Sequence, residues 1–288
     1  MKKILLLFVY ATSSAISFSQ QSVTIHGPYE PKGKYTSEVV QNMDILMKIT
    51  GDSALLSEME KSATPNQMTM SNRTDTKMLV TTGKINSNGT FGINTESNSI
   101  IRSEMMGKKD STKQALFLYG FAKSDEAPHY DSIRSIPESV LSDSAKAAIV
   151  KLFQNIGGIQ FPQKEFSIGD TAFISKTMTI PVSMVNENII VTQIYKLIKI
   201  ENGFADFDIS VIMNFGISGK DTLSIQGKGT GGGSGKCVYD IQKRYFKSMN
   251  LQMDFEAPVA MDIQGTHLEM DVTGKLNMGM NTSYQPND

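Results

Sequence analysis

From Leu268 to Met280 apolar and polar residues alternate without a break. Leu268, Met270, Val272, Leu276, Met278 and Met280 share one parity, with Gly274 among them. His267, Glu269, Asp271, Thr273, Lys275 and Asn277 fill the other. A period of two describes a β-strand with one dry face and one wet face. The pattern recurs along most of the chain. Gln21 to His26 reads as a short strand, ended by the Pro- and Gly-rich GPYEPKGK. Tyr35 to Ile49 alternates again, with Tyr35, Val39, Met43, Ile45, Met47 and Ile49 on the odd face. Met68 to Thr82, Ile100 to Met106 and Gln114 to Phe121 complete a first group of strands, with a hairpin turn at Asn88-Gly89. In the second half, Ala172, Ile174, Met178, Ile180, Val182 and Met184 share one face. Val191 to Ile200 follows, then a turn at Asn202-Gly203. Phe207 to Ile217 and Met249 to Ala257 supply further dry faces.

One segment changes period. Leu141, Ala145, Ala148, Ile149, Leu152, Phe153 and Ile156 recur at helical spacing, behind Pro137 and before Gly157-Gly158. A lone amphipathic helix among strands must bury its stripe against a sheet. The sequence therefore predicts a mainly β, α+β fold: a large curved antiparallel sheet or half-barrel with a helix over 137–156 on its concave face. The expected organisation is a leader over 1–19 and a single β-rich domain over 20–288. Its first strand group lies at 20–122 and its second at 170–282.

Strand parity passes through the glycines of DTLSIQGKGTGGGSGKCVYDI. Leu223, Ile225, Gly227, Gly229, Gly231, Gly233, Gly235, Cys237, Tyr239 and Ile241 are all odd. Two explanations stand here. The segment is a bent strand whose bare face lets a helix or ligand approach closely, or it is a loop. On the first, Gly229, Gly231 and Gly233, with Leu152 and Phe153 of the helix, are candidate groove residues for an apolar or lipid ligand.

The N-terminus sets the compartment. Lys2 and Lys3 precede the apolar Ile4 to Tyr10, and Ser17 and Ser19 fit a cleavage site before Gln20, the pattern of a secretory signal. The expectation is an exported chain, periplasmic or extracellular. Cys237, the single cysteine, lies far from the cleavage site, so there is no lipid-anchor acceptor and no intramolecular disulfide. No later apolar run approaches ~18 residues, so no transmembrane segment is expected in the mature chain. Net charge is −1, and −3 once Lys2 and Lys3 are removed with the leader. That gives no basic excess for nucleic acid. Tryptophan is absent and methionine occurs 18 times; Met fills irregular apolar space and adapts to varied ligands.

Candidate chemistry is sparse. Gly227-Lys228-Gly229-Thr230-Gly231-Gly232 matches G-x-G-x-x-G, but a strand-like segment follows where a dinucleotide site needs a helix. His26, His129 and His267 have no second histidine at ligand spacing. The acid pairs Asp206/Asp208, Asp254/Glu256 and Glu269/Asp271 fall opposite the dry face, as a solvated outer face would. No catalytic, metal or cofactor site is expected, and no enzyme. Asp followed by Ser or Thr and a small or apolar residue recurs at Ser53, Ser111, Ser132, Ser144, Thr171 and Thr222. The tripeptide resembles the O-glycosylation acceptor of exported Bacteroidetes proteins; the same dipeptides also serve as turn and cap signals.

The leader ending Ser-Gln-Gln, FPQKEFSIGDTAF at Phe161 to Phe173, and GKGTGGGSGKCVYDIQKRYF at Gly227 to Phe246 resemble an uncharacterised family of exported Bacteroidetes proteins. The family has no assigned activity, so no functional residue carries over. The expected plan is similar to the curved-sheet carriers of lipids and lipoproteins in bacterial envelopes. It implies a non-catalytic binding protein holding an apolar or lipid ligand between sheet and helix. The alternative is a structural or interaction module of the envelope.

Overall fold

The computed structural model describes residues 22–51, 65–124, 128–137, 162–182, 185–219, 224–263 and 266–287, with a few isolated positions between them. Thirteen strands are formed by these residues: β1 (Ser22–Thr24), β2 (Gly33–Gly51), β3 (Gln67–Thr82), β4 (Thr90–Met105), β5 (Lys108–Lys123), β6 (His129–Ile136), β7 (Glu165–Ser167), β8 (Thr171–Val182), β9 (Val185–Glu201), β10 (Phe204–Gly219), β11 (Ser224–Asp240), β12 (Tyr245–Ile263) and β13 (Thr266–Pro286). Eleven make one antiparallel sheet in the order β6-β5-β4-β3-β2-β13-β12-β11-β10-β9-β8, and β1 pairs β7 in a separate ribbon. Both predicted strand groups are thus up-and-down meanders. They join where β2 pairs β13 from Gly33↔Pro286 to Gly51↔Leu268.

Turn chemistry supports the meanders. Asn202 and Gly203 have φ of 52° and 81°, and Met106 and Gly107 have 51° and 78°. Two consecutive positive φ values match the twist of the strands that such a turn connects. Gly89 follows Asn88 with φ of 79° at the predicted turn before β4.

Parity sorts the two faces. The inner face carries Tyr35, Val80, Ile93 and Leu118 in one buried cluster, with Tyr130 and Tyr245. A second cluster joins Tyr195, Leu197, Phe207, Cys237, Tyr239 and Met249. Register shifts at Tyr119/Gly120, Asp206/Phe207 and Val238/Tyr239 fall near these clusters, where bulges bend and twist a sheet.

The Gly-rich segment is strand throughout. β11 runs through all its glycines, paired on both sides. Phe215 of β10 and Phe255 of β12 meet edge-to-face across it, with ring centroids 6.1 Å apart. A Cβ on Gly229 would collide with the Phe215 ring. One on Gly231 would stand 2.9 Å from both Met213 Cε and Phe255 Cβ. The bare face therefore lets the flanking strands fold their side chains over β11.

The expected α+β plan is corrected. Among the described residues the fold is antiparallel β, and no helix packs on the sheet. The physical reason is visible at the core: the ribbon does what was expected of a helix. Val23, Ile25 and Phe166 of the β1–β7 region are at most 3 % exposed and pack on Leu197, Phe207 and Tyr239. The Phe166 ring stands edge-on to Phe207 at 5.3 Å. Leu152, Phe153 and most of 137–156 lie outside the described residues, as does the leader over 1–19.

Candidate functional site

Above the buried clusters the inner face continues as a half-buried apolar floor. Register defines its rows. One runs Ile174, Gln193, Val211, Gly233, Met253, Leu276 and Met43. The next runs Lys176, Val191, Met213, Gly231, Phe255, Gly274, Ile45 and Met70. A third holds Ile189, Phe215, Gly229, Ala257, Val272, Met47 and Met68. The methionines of β2, β3, β10, β12 and β13 fall overwhelmingly on this parity. From β3 onward the floor turns polar: Asn72, Thr74 and Thr76 of β3, Ser97, Ser99 and Ser103 of β4 and Gln114 of β5 share the inner face.

At the tyrosine end of β2–β6 the same face encloses a cavity of about 270 Å³. Its walls include Tyr29, Tyr35, Met78, Leu116, Leu118, Tyr130, Tyr245 and Met280. Tyr35 packs against Tyr29 and Tyr284 at 5.1 Å and Tyr245 at 6.1 Å. Its hydroxyl accepts the Glu30 N–H at 2.7 Å. The Tyr130 hydroxyl is 2.9 Å from Thr95 Oγ1. Burial raises the pKa of Tyr29, Tyr35, Tyr130, Tyr195 and Tyr245 above the usual phenol value. These phenols stay neutral, and the cavity is apolar with hydroxyl groups at its edge.

The outer face is charged at its centre. Asp254, Glu256, Glu269 and Asp271 are exposed there; Glu269 and Asp271 border one open hollow with Gln226 and Lys228, and Asp254 and Glu256 another with Thr273 and Lys275. Asp206 is part of a surface pair with Lys199 at 3.3 Å. His267 sits 2.8 Å from Asp262, whose hydrogen bond raises its pKa, and His129 sits 3.2 Å from Asp131. Among the described residues no group of three or more His, Cys, Asp or Glu is placed to hold a metal. The G-x-G-x-x-G match lies inside β11, where no helix N-terminus follows. Cys237 is 1 % exposed, and burial raises its thiol pKa, so it is unreactive in the folded chain.

The sequence-predicted positions separate cleanly. Gly229, Gly231 and Gly233 lie on the inner face beneath neighbouring side chains. Ser111, Ser132 and Thr171 are exposed on the outer face, two of them on the edge strands β6 and β8. Ser53, Ser144 and Thr222 lie outside the described residues. One inner-face residue escaped the sequence reading. Lys176 stands on the parity of Ala172, Ile174, Met178 and Ile180, and a cation in that series was the available signal.

No family model and no curated protein matches this chain. Among solved structures, the translocator domain of autotransporter NalP from Neisseria meningitidis is 7 % identical. That match covers 96 % of this chain and 95 % of that one, at TM-score 0.24. A mutant Rh. blastica porin is 10 % identical over 84 % of this chain and 99 % of its own, at TM-score 0.24. The β domain of the Bordetella autotransporter BrkA is 6 % identical over 83 % and 98 %, at TM-score 0.22. TM-scores this low carry no argument about this chain.

The expectation of no transmembrane segment in the mature chain does not stand. It was drawn from the absence of a long apolar run, which tests for helices. Among the described residues no helix is long and apolar enough to cross a membrane, and this says nothing of crossing by strands. Here the sheet strands reach 21 residues in β13, beyond the ~9–11 that a crossing strand needs.

Proposed function

We propose that this chain is an exported binding module that holds an apolar ligand on the inner face of its sheet, without catalysis. One observation carries the reading. The floor from β8 to β2 is mostly apolar and left half-buried, while Tyr35, Tyr130 and Tyr245 at its tyrosine end are at most 6 % exposed. Water-exposed apolar surface of this extent marks a binding site far more often than a scatter of single residues does. Methionine suits such a floor, because its unbranched, polarisable side chain adapts to a ligand of irregular shape. The tyrosine-end cavity approaches the size of small-ligand pockets, which begin at roughly 300 Å³.

Uptake of the neutral dye Nile red tests the reading. The native protein should bind it with a rise in fluorescence. Ile45→Glu, which puts a charge in the middle of the floor, should abolish the rise. Lys48→Glu, on the outer face of the same strand, should leave it intact. No uptake by the parent, or undiminished uptake by Ile45→Glu, rejects an apolar site on this face.

A second reading, an interaction module, is favoured by one other feature. Phe173 is 73 % exposed on the outer face of edge strand β8, beside Ile194, with Ile190 and Ile212 also exposed nearby. Sedimentation of parent and Phe173→Ser proteins tests it, and a self-associated parent dispersed by the substitution is its expected outcome.

A further inference from the structure

The tyrosine-end cavity differs from the open floor in shape and in chemistry. Register sets Thr282, Ser37, Met78, Ser97 and Leu116 side by side across five strands, and all of them line it. At about 270 Å³ it has almost twice the room of an apolar cavity of ~150 Å³, which takes up benzene. That is space for one aromatic ring or two fused rings. Among the described residues that line it, none is charged. An ionised ligand would lose its hydration there without gaining a partner. Tyr29, Tyr35, Tyr130, Tyr245 and Phe246 give the cavity aromatic walls, with Met78 and Met280 beside them. Aromatic rings favour edge-to-face partners, and thioether sulfur favours ring edges. Tyr35 already meets Tyr29 and Tyr245 in this way, at interplanar angles of 69° and 65°.

The polar side chains that line the cavity are all hydroxyls. Ser37 Oγ and Thr282 Oγ1 stand 2.8 Å apart, and Thr95 Oγ1 and the Tyr130 hydroxyl 2.9 Å. A hydroxyl has one donor and two acceptor lone pairs, so a pair that shares one hydrogen bond keeps acceptor capacity. A neutral O–H or N–H on a ligand can donate to it. We infer that this cavity binds a compact, neutral aromatic molecule of one or two fused rings that carries one hydroxyl or N–H donor, as phenols and indoles do. The inference rests on the apolar-ligand reading of this face and names the ligand class of its enclosed end. Long flexible tails suit the open floor, whereas the enclosure selects a short, rigid ring.

Equilibrium dialysis of 2-naphthol at neutral pH tests the inference. The parent should bind it at least tenfold more tightly than 2-naphthoate, which is charged, a step of ~1.4 kcal/mol. It should also prefer 2-naphthol to 2-methylnaphthalene, which has the same shape and no donor, and dodecanol should not displace 2-naphthol. Ser97 is half-buried in the middle of the lining row. Ser97→Phe should fill the cavity and abolish binding, whereas Ser97→Ala should retain it. Ile45→Glu, which tests the open floor, should leave 2-naphthol binding unchanged. Equal affinity for naphthol and naphthoate overturns the inference, as does equal affinity for the methyl compound, displacement by dodecanol, or undiminished binding by folded Ser97→Phe. The comparisons on the parent decide the matter even if Ser97→Phe does not fold. Nile red uptake without 2-naphthol binding overturns the inference and leaves the floor standing. Absence of both overturns the apolar-ligand reading as well, and 2-naphthol binding without Nile red uptake keeps the cavity and rejects the floor.

Discussion

Gly231 and Gly232 are neighbours on β11 and face opposite sides of the sheet. A Cβ on Gly231 would press on Met213, Phe255 and the Asp254 carbonyl at 2.9–3.0 Å, whereas one on Gly232 would meet the Val211 carbonyl at 3.4 Å, an ordinary contact. Gly231→Leu should therefore destabilise the fold by about 1–3 kcal/mol through overpacking. Gly232→Ala should stay within about 0.5 kcal/mol. Urea melts of both variants check the pair, and equal effects would show that the inner face of β11 is not packed. At this scale the alternation of the sequence was informative. It placed Cys237 on the dry side and His267 and the acid pairs on the wet side, as found. It could not say that Phe215 and Phe255 meet over the glycines. Contacts between strands two apart depend on how the sheet bends, and parity within one strand carries no record of that.

The β1–β7 ribbon is the element that closes the larger core. Its strands are three residues each, too short to stand alone, so their order depends on Phe166, Val23 and Ile25 docking on the sheet. Phe166→Ala should cost about 3–5 kcal/mol, the range for a buried aromatic. Ile168→Ala, on a residue 45 % exposed, should cost less than about 0.5 kcal/mol. Thermal melts should separate the two, and a small effect for Phe166→Ala would mean the ribbon is peripheral. The first strand of the ribbon was legible in Gln21 to His26, but its pairing was not, because Glu165–Ser167 lies over 140 residues away and is too short for a periodic signal. The long strands were legible because alternation over 16 or more residues has few competing explanations. Asn202-Gly203 announced its hairpin by composition. Met106-Gly107 makes the same turn without that signal, so β4 and β5 were read as shorter than they are.

At the scale of the whole molecule the tyrosines act together. Among the described residues Tyr29, Tyr35, Tyr130, Tyr195 and Tyr245 have raised pKa values, burial being the first cause for each. A folded pKa above the unfolded value near 10 means that the folded state holds its protons longer. The stabilisation is complete below pH ~10 and is lost as pH rises through the folded values. Urea midpoints should thus fall between about pH 8 and about pH 11, with tyrosinate absorbance appearing in step with unfolding. A midpoint unchanged over that interval would show that these phenols are solvated.

The class of structure was written in the alternation, because a period of two determines which side chains of a strand share a face whatever the strand pairs with. The candidate export signal and the lack of an intramolecular disulfide were equally local readings. Strand order was not local. β2 finds β13 at the centre of the sheet, joining chain segments more than 200 residues apart. That choice rests on matching dry faces and register over 19 residue pairs, a property of two segments together. The site belongs to the same category. The apolar floor exists only once the strands from β8 to β2 lie side by side, since neighbouring strands, and not neighbouring residues, supply it.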